Sequence, residues 1–275
     1  MSTITIFHAT NGELELLPVQ ASSLDDATLQ TGHGVYAVFR VYPGLRVLHL
    51  GRHLERMRES AALLGQPYAL ADEWLRAVLR RAMQASGLAD ARVRITVPYT
   101  DPGTALIALE PFERPDPTLY AQGVRVGLAQ YRRERARVKD SRFIEKRIEL
   151  QRALGDGFYE ILLQDEQGCI LEGTSSNFYA VLDGALFTAA EGVLWGVARR
   201  LILEEAPAIL PVRFQPVRVE DLPHLSEAML SSASRGPVPI VAIGDQIIGA
   251  GQPGPVFAAL RAAYDARVER ELEPL

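Results

Sequence analysis

The sequence predicts a mixed α/β protein of the α+β kind, and it predicts two domains. The first part of the chain shows the pattern strands, two helices, strands, and the second part shows many short strands with a few helices. Between them, residues 111–117 contain three prolines, which restrict the backbone and suit a connecting segment. We therefore expect an N-terminal α/β domain over 1–115, a linker over 116–122 and a barrel-like domain over 123–275.

The elements of the first domain follow from hydrophobic spacing and turn residues. Pro43-Gly44 interrupts a Val- and Tyr-rich run and predicts a hairpin. Leu54, Met57 and Ala61 recur at helical spacing. The predicted elements are a strand at 1–7, the hairpin at 36–50, helices at 53–64 and 72–86, and strands at 91–98 and 104–109.

The second domain is predicted from shorter apolar runs. Asp183-Gly184 indicates a hairpin turn, and Pro255 suits the first position of a helix. The predicted strands are 123–129, 158–164, 177–182, 185–188, 212–217, 228–231 and 239–243, and the predicted helices are 143–154, 196–206 and 255–270.

Composition narrows the class of protein. The chain has 275 residues, 48% of them hydrophobic, and a net charge of −5, which argues against a broad nucleic-acid or anionic-membrane surface. Its one cysteine, Cys169, rules out an internal disulfide, and the histidines lack the spacing of metal ligands, so no metal is expected. The start of the chain does not resemble a signal peptide, and no apolar run approaches the roughly 20 residues of a membrane span. We expect a soluble cytoplasmic protein.

Lys139 is the first candidate for chemistry. It lies in segment 132–147, which contains eight basic and three acidic residues. A solvated basic surface and an RNA-binding arm are alternative interpretations, and the interleaved acids argue against the arm. A reactive lysine must be partly unprotonated, and neighbouring cations push its pKa down.

Glu172 begins the second candidate, the sequence Glu172-Gly-Thr-Ser-Ser-Asn177. Its composition suits an ordinary polar turn. An acid can also keep the pyridine nitrogen of pyridoxal phosphate protonated, and a lysine can bind that cofactor as a Schiff base. Ser176 and Asn177 would then stand close enough in sequence to contact cofactor or substrate oxygens.

Three further segments suit phosphate binding, and each has a plain structural alternative. Arg56 offers a guanidinium, unless it is a surface arginine of its helix. Val197 and Ala198 open a predicted helix, where free N–H groups can bind an anion. Ser232 and Ala233 lie in a loop of small residues after a predicted strand.

Taken together, these segments resemble fold-type IV pyridoxal-phosphate enzymes, the class IV aminotransferases. That family includes branched-chain and D-amino-acid aminotransferases and aminodeoxychorismate lyase. Two of the departures from the family's pattern are Ala198 and Ala233, which stand where hydroxyl residues are common. The resembling segments, in chain order, are Gly32–Tyr42, His53–Arg56, Lys139, Glu172–Asn177, Leu194–Arg199 and Ser231–Ser234.

The resemblance implies a fold, a cofactor and roles for residues. The fold would be a small N-terminal α/β domain with a larger C-terminal pseudo-barrel, working as a homodimer with pyridoxal 5'-phosphate. Lys139 would carry the Schiff base and move the substrate proton, and Glu172 would contact the pyridine nitrogen. The other implied cofactor contacts are Arg56, Ser176, Asn177, Val197, Ala198, Ser232 and Ala233. Four further residues are candidates for contacts with the substrate: Tyr36, Arg40, Arg94 and Arg235.

The implied activity is transfer of an amino group between an amino acid and a 2-oxo acid. Two alternatives stay open: a carbon–carbon lyase that releases an aminobenzoate and pyruvate, and a non-catalytic relative that keeps the fold for binding. The motifs favour neither D- nor L-substrates.

Overall fold

The computed structural model describes residues 4–155 and 157–275, and the chain divides into two compact units. The first unit contains the chain up to Glu113, with Val138–Ile144 and Arg270–Leu275. The second contains Arg114–Arg137 and Glu145–Glu269. Within the described ranges, no helix has the length and apolar character needed to cross a membrane.

The first unit is built on an antiparallel sheet of seven strands. These are β1 (Thr5–Ala9), β2 (Leu14–Leu16), β3 (Gly34–Tyr42), β4 (Arg46–Leu48), β5 (Ala91–Pro98), β6 (Ala105–Pro111) and β16 (Leu272–Pro274). Their order across the sheet is β16-β4-β3-β5-β6-β1-β2. The helices of this unit are α1 (Leu24–Thr31), α2 (Leu50–Leu64) and α3 (Asp72–Ser86).

Alternation along β3 sets the two faces of this sheet. Val35, Ala37, Phe39 and Val41 are buried in one core cluster together with the apolar residues of α2 and α3. The opposite face is covered in part by α1, whose Leu24 and Ala27 pack in a second cluster with Ile6 and Ala108. Tyr36, Arg40 and Arg94 therefore lie on the face opposite the main core, because they alternate with core residues.

The second unit contains the remaining elements. Its strands are β7 (Val124–Gln130), β8 (Glu160–Gln164), β9 (Ile170–Gly173), β10 (Asn177–Leu182), β11 (Ala185–Phe187), β12 (Val212–Arg213), β13 (Glu227–Ser232), β14 (Gly236–Ile243) and β15 (Gln246–Ile247). Its helices are α4 (Pro117–Gln122), α5 (Phe143–Leu154), α6 (Val197–Glu205) and α7 (Pro255–Glu271), with the ends of α5 and α7 shared with the first unit.

Six strands of the second unit close into a ring. The path β10-β13-β14-β7-β8-β9 returns to β10 through the pairing of Asn177 with Glu172. The interior is apolar, with Val126, Leu162, Phe178 and Leu230 among its buried residues. This confirms the predicted mixed α/β class and the barrel-like form of the C-terminal part.

Several boundaries differ from the sequence-based ones. Segment 138–144, predicted within the C-terminal domain, groups with the first unit because its backbone bonds to β3: the Tyr36 amide donates to the Lys139 carbonyl at 3.1 Å. The predicted linker 116–122 contains α4, whose first turn is capped by the Asp116 side chain. Predicted strand 212–217 shrinks to two residues, Val212 and Arg213.

Two more differences concern the start of the chain. The sequence-based prediction has no helix at 24–31, where the structure has α1, although Ser23 caps this helix by accepting from the Asp26 amide. The predicted strand at 1–7 begins outside the described residues, and β1 runs from Thr5 to Ala9.

Candidate functional site

Lys139 lies in a backbone segment held by β3. The Ser141 amide donates to the Gly34 carbonyl at 3.1 Å, and the Gly34 amide donates to Ser141 Oγ at 2.9 Å. A Cβ at position 34 would collide with the Val97 carbonyl, so the strand needs glycine where the segment approaches. The backbone from Lys139 to Ser141 is therefore held against the start of β3.

Helix α2 supplies a second constraint on Lys139. The Lys139 amide donates to Ser60 Oγ at 3.0 Å, and Ser60 Oγ donates to the Arg56 carbonyl at 2.7 Å. The Lys139 ammonium nitrogen Nζ is 4.9 Å from the centroid of the Tyr36 ring. The first unit thus brings Tyr36, Arg56 and Lys139 together, with Ser60 as a link that the sequence interpretation missed.

Arg56 is not a surface residue. Its side chain is buried, and so are those of His53 and Ser60, which share its face of α2 at a spacing of three and four residues. Burial, followed by the charges of Arg56, His49 and Lys139, lowers the pKa of His53 well below its ordinary value. His53 is therefore neutral at pH 7, and the positive charge of this stripe belongs to Arg56.

Arg40 and Arg94 are engaged elsewhere in the first unit. Arg40 binds both carboxylate oxygens of Asp90, at 2.8 and 2.5 Å. Arg94 donates to the Thr28 hydroxyl at 2.7 Å and to Asp25 at 2.7 Å, which ties β5 to α1. These contacts indicate a structural role for both arginines.

Glu172 is one of the buried acids of the second unit. Its Oε1 accepts from Arg133 Nη1 at 3.0 Å, and its Oε2 accepts from the Leu194 amide at 2.8 Å. A buried carboxylate requires such compensation, and Arg133 provides the opposite charge. Sequence reasoning did not single out this partner, because Arg133 is one of many arginines in segment 132–147.

Asn177 connects Glu172 with the start of α6. It stands opposite Glu172 in β9 and opposite Ser231 in β13, and its Nδ2 donates to the Leu194 carbonyl at 2.6 Å. A Cβ on Gly196 would lie 2.5 Å from Asn177 Oδ1, so only glycine lets α6 begin there. The N-cap, Gly196, has no capping side chain, and the first N–H groups of α6, including those of Val197 and Ala198, have no helical acceptor.

The last predicted loop is the turn between β13 and β14. Ser232 pairs with Gly236 at its base, and Ala233 lies in the turn. Ser232 Oγ accepts from Arg235 Nε at 2.9 Å. Arg235 also contacts Glu160, and Glu160 accepts from Ser176 Oγ at 2.9 Å. The second unit therefore links Ser176 to Ser232 through two residues, of which Glu160 was missed because nothing around it in sequence marks it.

The second unit also buries a cation at the beginning of α6. Arg199 donates to the Thr188 hydroxyl and to the Ala189 carbonyl, each at 2.5 Å, and stacks with Trp195. Burial lowers the pKa of this guanidinium, while the charges of Tyr179 and Glu172 act in the opposite direction. Across residues 4–155 and 157–275, no group of three or more potential metal-ligating side chains is assembled.

Comparison with known sequences finds one family and a consistent set of relatives. The model of the family described as amino-transferase class IV matches residues 34–243. The branched-chain-amino-acid aminotransferase of Pseudomonas aeruginosa is 25% identical over 260 residues, covering 86% of this chain and 84% of that protein. The D-alanine aminotransferase of Bacillus licheniformis is 25% identical over 278 residues, covering 95% and 96%.

Solved structures share the fold. The branched-chain amino acid aminotransferase of Escherichia coli has a TM-score of 0.78 at 22% identity, covering 95% of this chain and 93% of its own. One from Thermoproteus uzoniensis, solved with norvaline, has a TM-score of 0.79 at 22% identity and covers 99% of both. A third branched-chain enzyme, from T. th. and solved with pyridoxamine 5'-phosphate, has a TM-score of 0.81 at 20% identity and covers 98% and 97%. The family match spans well over half of the chain. The chain therefore belongs to the class IV aminotransferase family.

Proposed function

We propose that this protein is a pyridoxal-phosphate-dependent aminotransferase that acts on an amino acid and a 2-oxo acid. The observation that carries the proposal is the setting of Lys139. The chain contains two lysines. Lys146 is paired with Glu149 at 2.6 Å, whereas Lys139 has its amide on Ser60 and its ammonium beside Tyr36. Of the two lysines, Lys139 is thus the one held by α2, the helix that also contains Arg56, a predicted cofactor contact.

The residues present fit the cofactor by the chemistry of their donors. A phosphate needs cations and N–H groups, which Arg56 and the first turn of α6 offer. A protonated pyridine nitrogen needs a buried carboxylate, which Glu172 offers. Arg199 adds a buried positive charge next to that first turn, and its own contacts are to neutral groups.

Each residue then has a role in amino transfer. When bound, pyridoxal phosphate withdraws electrons from the substrate α-carbon and so makes its proton removable. Lys139 Nζ would hold the cofactor covalently, and would accept and return that proton. Glu172 would keep positive charge on the pyridine nitrogen, and Tyr36 would shape the surroundings of Lys139. Asn177 would orient the Leu194 segment, and Ser232 with the amides of Val197 and Ala198 would bind phosphate.

The proposal keeps the homodimer and the cytoplasmic location expected from the sequence. The relatives include both branched-chain and D-alanine aminotransferases, so the donor panel should contain L-valine, L-leucine and D-alanine with 2-oxoglutarate or pyruvate as acceptors.

The first experiment tests the lysine. Protein loaded with pyridoxal phosphate should show a visible absorption band, and borohydride reduction followed by peptide mass spectrometry should locate the pyridoxyl group on Lys139. Lys139→Ala should lose the band and the transaminase activity.

Lys146→Ala is the matched control, because it removes the chain's other lysine and should keep both properties. A pyridoxyl group on Lys146, or a wild-type protein that never binds the cofactor, would overturn the proposal. Pyruvate formed from an aminated chorismate without any 2-oxo acid would instead identify the lyase.

A further inference from the structure

The turn between β13 and β14 presents the guanidinium of Arg235 directly after Ser231–Ser234, the small residues that carry the family resemblance. Arg235 is 24% exposed, whereas its partner Glu160 on β8 is 4% exposed. The open side of this ion pair is therefore its cationic side. A buried ion pair on its own adds little stability, so its exposed cation invites a functional explanation.

Two hydroxyls from separate parts of the second unit converge on this guanidinium. Arg235 Nε donates to Ser232 Oγ at 2.9 Å, and Arg235 Nη2 donates to Ser175 Oγ at 3.1 Å. A hydroxyl that accepts a hydrogen bond keeps its own O–H for donation. Within the described residues, neither of these two O–H groups has an acceptor. Because each hydroxyl oxygen accepts a hydrogen bond from a cation, a hydrogen bond that its own O–H donates to a ligand is strengthened.

Glu160 holds the arrangement in place. Its Oε2 accepts from Arg235 at 3.1 Å, and its Oε1 accepts from the Ser175 amide at 2.6 Å and from Ser176 Oγ at 2.9 Å. A Cβ on Gly173 would lie 2.6 Å from Glu160 Oε1, so the glycine of the Glu-Gly motif makes room for this carboxylate. Burial opposes the charge of Arg235, but Glu160 and Tyr159 together raise its pKa above the ordinary value.

We propose that the guanidinium of Arg235 and the hydroxyls of Ser175 and Ser232 bind a small oxyanion, either the cofactor phosphate or a substrate carboxylate. This inference rests on the proposed function. It also bears on the departure at Ala233, because Ser232 and Arg235 lie on either side of Ala233-Ser234 in the same turn and would supply a hydroxyl and a cation there.

The test compares Arg235→Gln with wild type, using pyridoxal phosphate and pyridoxal, which lacks the phosphate. If the phosphate is the ligand, the Kd of pyridoxal phosphate should rise roughly ten- to hundredfold, and that of pyridoxal should stay constant. If a substrate carboxylate is the ligand, the cofactor Kd should stay constant. The KM of an amino acid donor should then rise by a similar factor, and that of an amine without a carboxylate should not.

Arg261→Gln is the matched control. Arg261 donates to the carbonyls of Arg235 and Pro237, so its loss disturbs the same turn without removing the proposed ligand group. It should leave both affinities close to those of wild type. If Arg235→Gln does not fold by circular dichroism, the double variant Ser175→Ala/Ser232→Ala should show the same selective loss.

The outcomes separate two failures. A wild-type protein that binds neither pyridoxal phosphate nor pyridoxal would remove the proposed function and this inference with it. The inference alone would fail if wild type binds the cofactor and the variants at Arg235, Ser175 and Ser232 match it in every affinity and KM. The ion pair of Arg235 with Glu160 would then have no role in binding.

Discussion

At the scale of single residues, Glu172 and Arg133 form an ion pair whose side chains are 3% and 11% exposed. Removing one member leaves the other buried without its counter-charge, which costs more than the pair itself contributes. Arg40 and Arg94 are poorer candidates for substrate binding than Arg235, because their side chains are 14% and 2% exposed, against 24% for Arg235.

Glu172→Gln should lower the free energy of unfolding by about 3 kcal/mol, because it removes the carboxylate charge that faces the largely enclosed Arg133 guanidinium. Arg133→Gln should have a comparable effect, and the double variant should recover part of the loss. Chemical denaturation of all four proteins measures this cycle.

Activity should separate the two partners of this pair. Glu172→Gln should lose transaminase activity even where it is folded, and Arg133→Gln should keep a larger share, since only Glu172 is proposed to contact the cofactor. Equal activities in the two single variants would contradict that role for Glu172.

At the scale of elements, α6 begins where the backbone has no space for a side chain. Gly196 packs against Asn177, and the first N–H groups of the helix have no acceptor within the helix and no capping side chain. The start of α6 is thus positioned by a glycine and by a strand residue rather than by a capping side chain.

Gly196→Ala should destabilise the protein by about 1–3 kcal/mol, because the added methyl must displace Asn177 or the start of α6. It should also weaken binding of pyridoxal phosphate more than binding of pyridoxal. Thermal unfolding and ligand titration check the two effects.

Gly51→Ala is the control for this glycine. Gly51 lies in the first turn of α2, and a Cβ there would meet no atom within 4 Å. Alanine should stabilise that helix by roughly 0.5–1 kcal/mol. A Gly196→Ala protein with wild-type stability and affinities would show that the packing at Asn177 is not tight.

Elements are predictable where hydrophobic spacing is simple, and less so where polar groups are buried. The stripe of Leu54 and Met57 predicts α2, but its second buried stripe, His53, Arg56 and Ser60, is polar and looks like a surface in sequence. Glu160 and Arg133 could not be found, because their partners are distant along the chain and meet them only in the folded unit. Segment 138–144 falls on the other side of the predicted boundary for the same reason, since its bonds are to β3.

At the scale of the whole molecule, stability should depend on the protonation of His53. The folded-state pKa lies well below 6.5, so below pH 6.5 the unfolded chain binds a proton that the folded protein excludes. Above pH 6.5 the titration of His53 therefore leaves the free energy of unfolding unchanged. As the pH falls from 6.5 toward the folded-state pKa, the free energy of unfolding decreases.

His53→Gln should remove this dependence. Between pH 6.5 and the lowered pKa, wild type should lose up to about 1.4 kcal/mol per pH unit more than the variant. Urea denaturation at several pH values gives the difference, and carboxylates common to both proteins cancel. Parallel pH profiles of the two proteins would show that the folded protein protonates His53 as readily as the unfolded chain does.

The hairpin that carries Glu172 and Asn177 is also the hairpin that closes the ring of six strands, since these two residues form the register pair between β9 and β10. Selection for a folded barrel would therefore act on the same positions as selection for the proposed role of Glu172. A descendant that stopped using the cofactor would still be under pressure to keep this stretch. The presence of the Glu172–Asn177 stretch in a sequence is therefore evidence for the barrel rather than for catalysis. Evidence for catalysis must come from Lys139, because the closure of the ring of strands does not depend on its side chain.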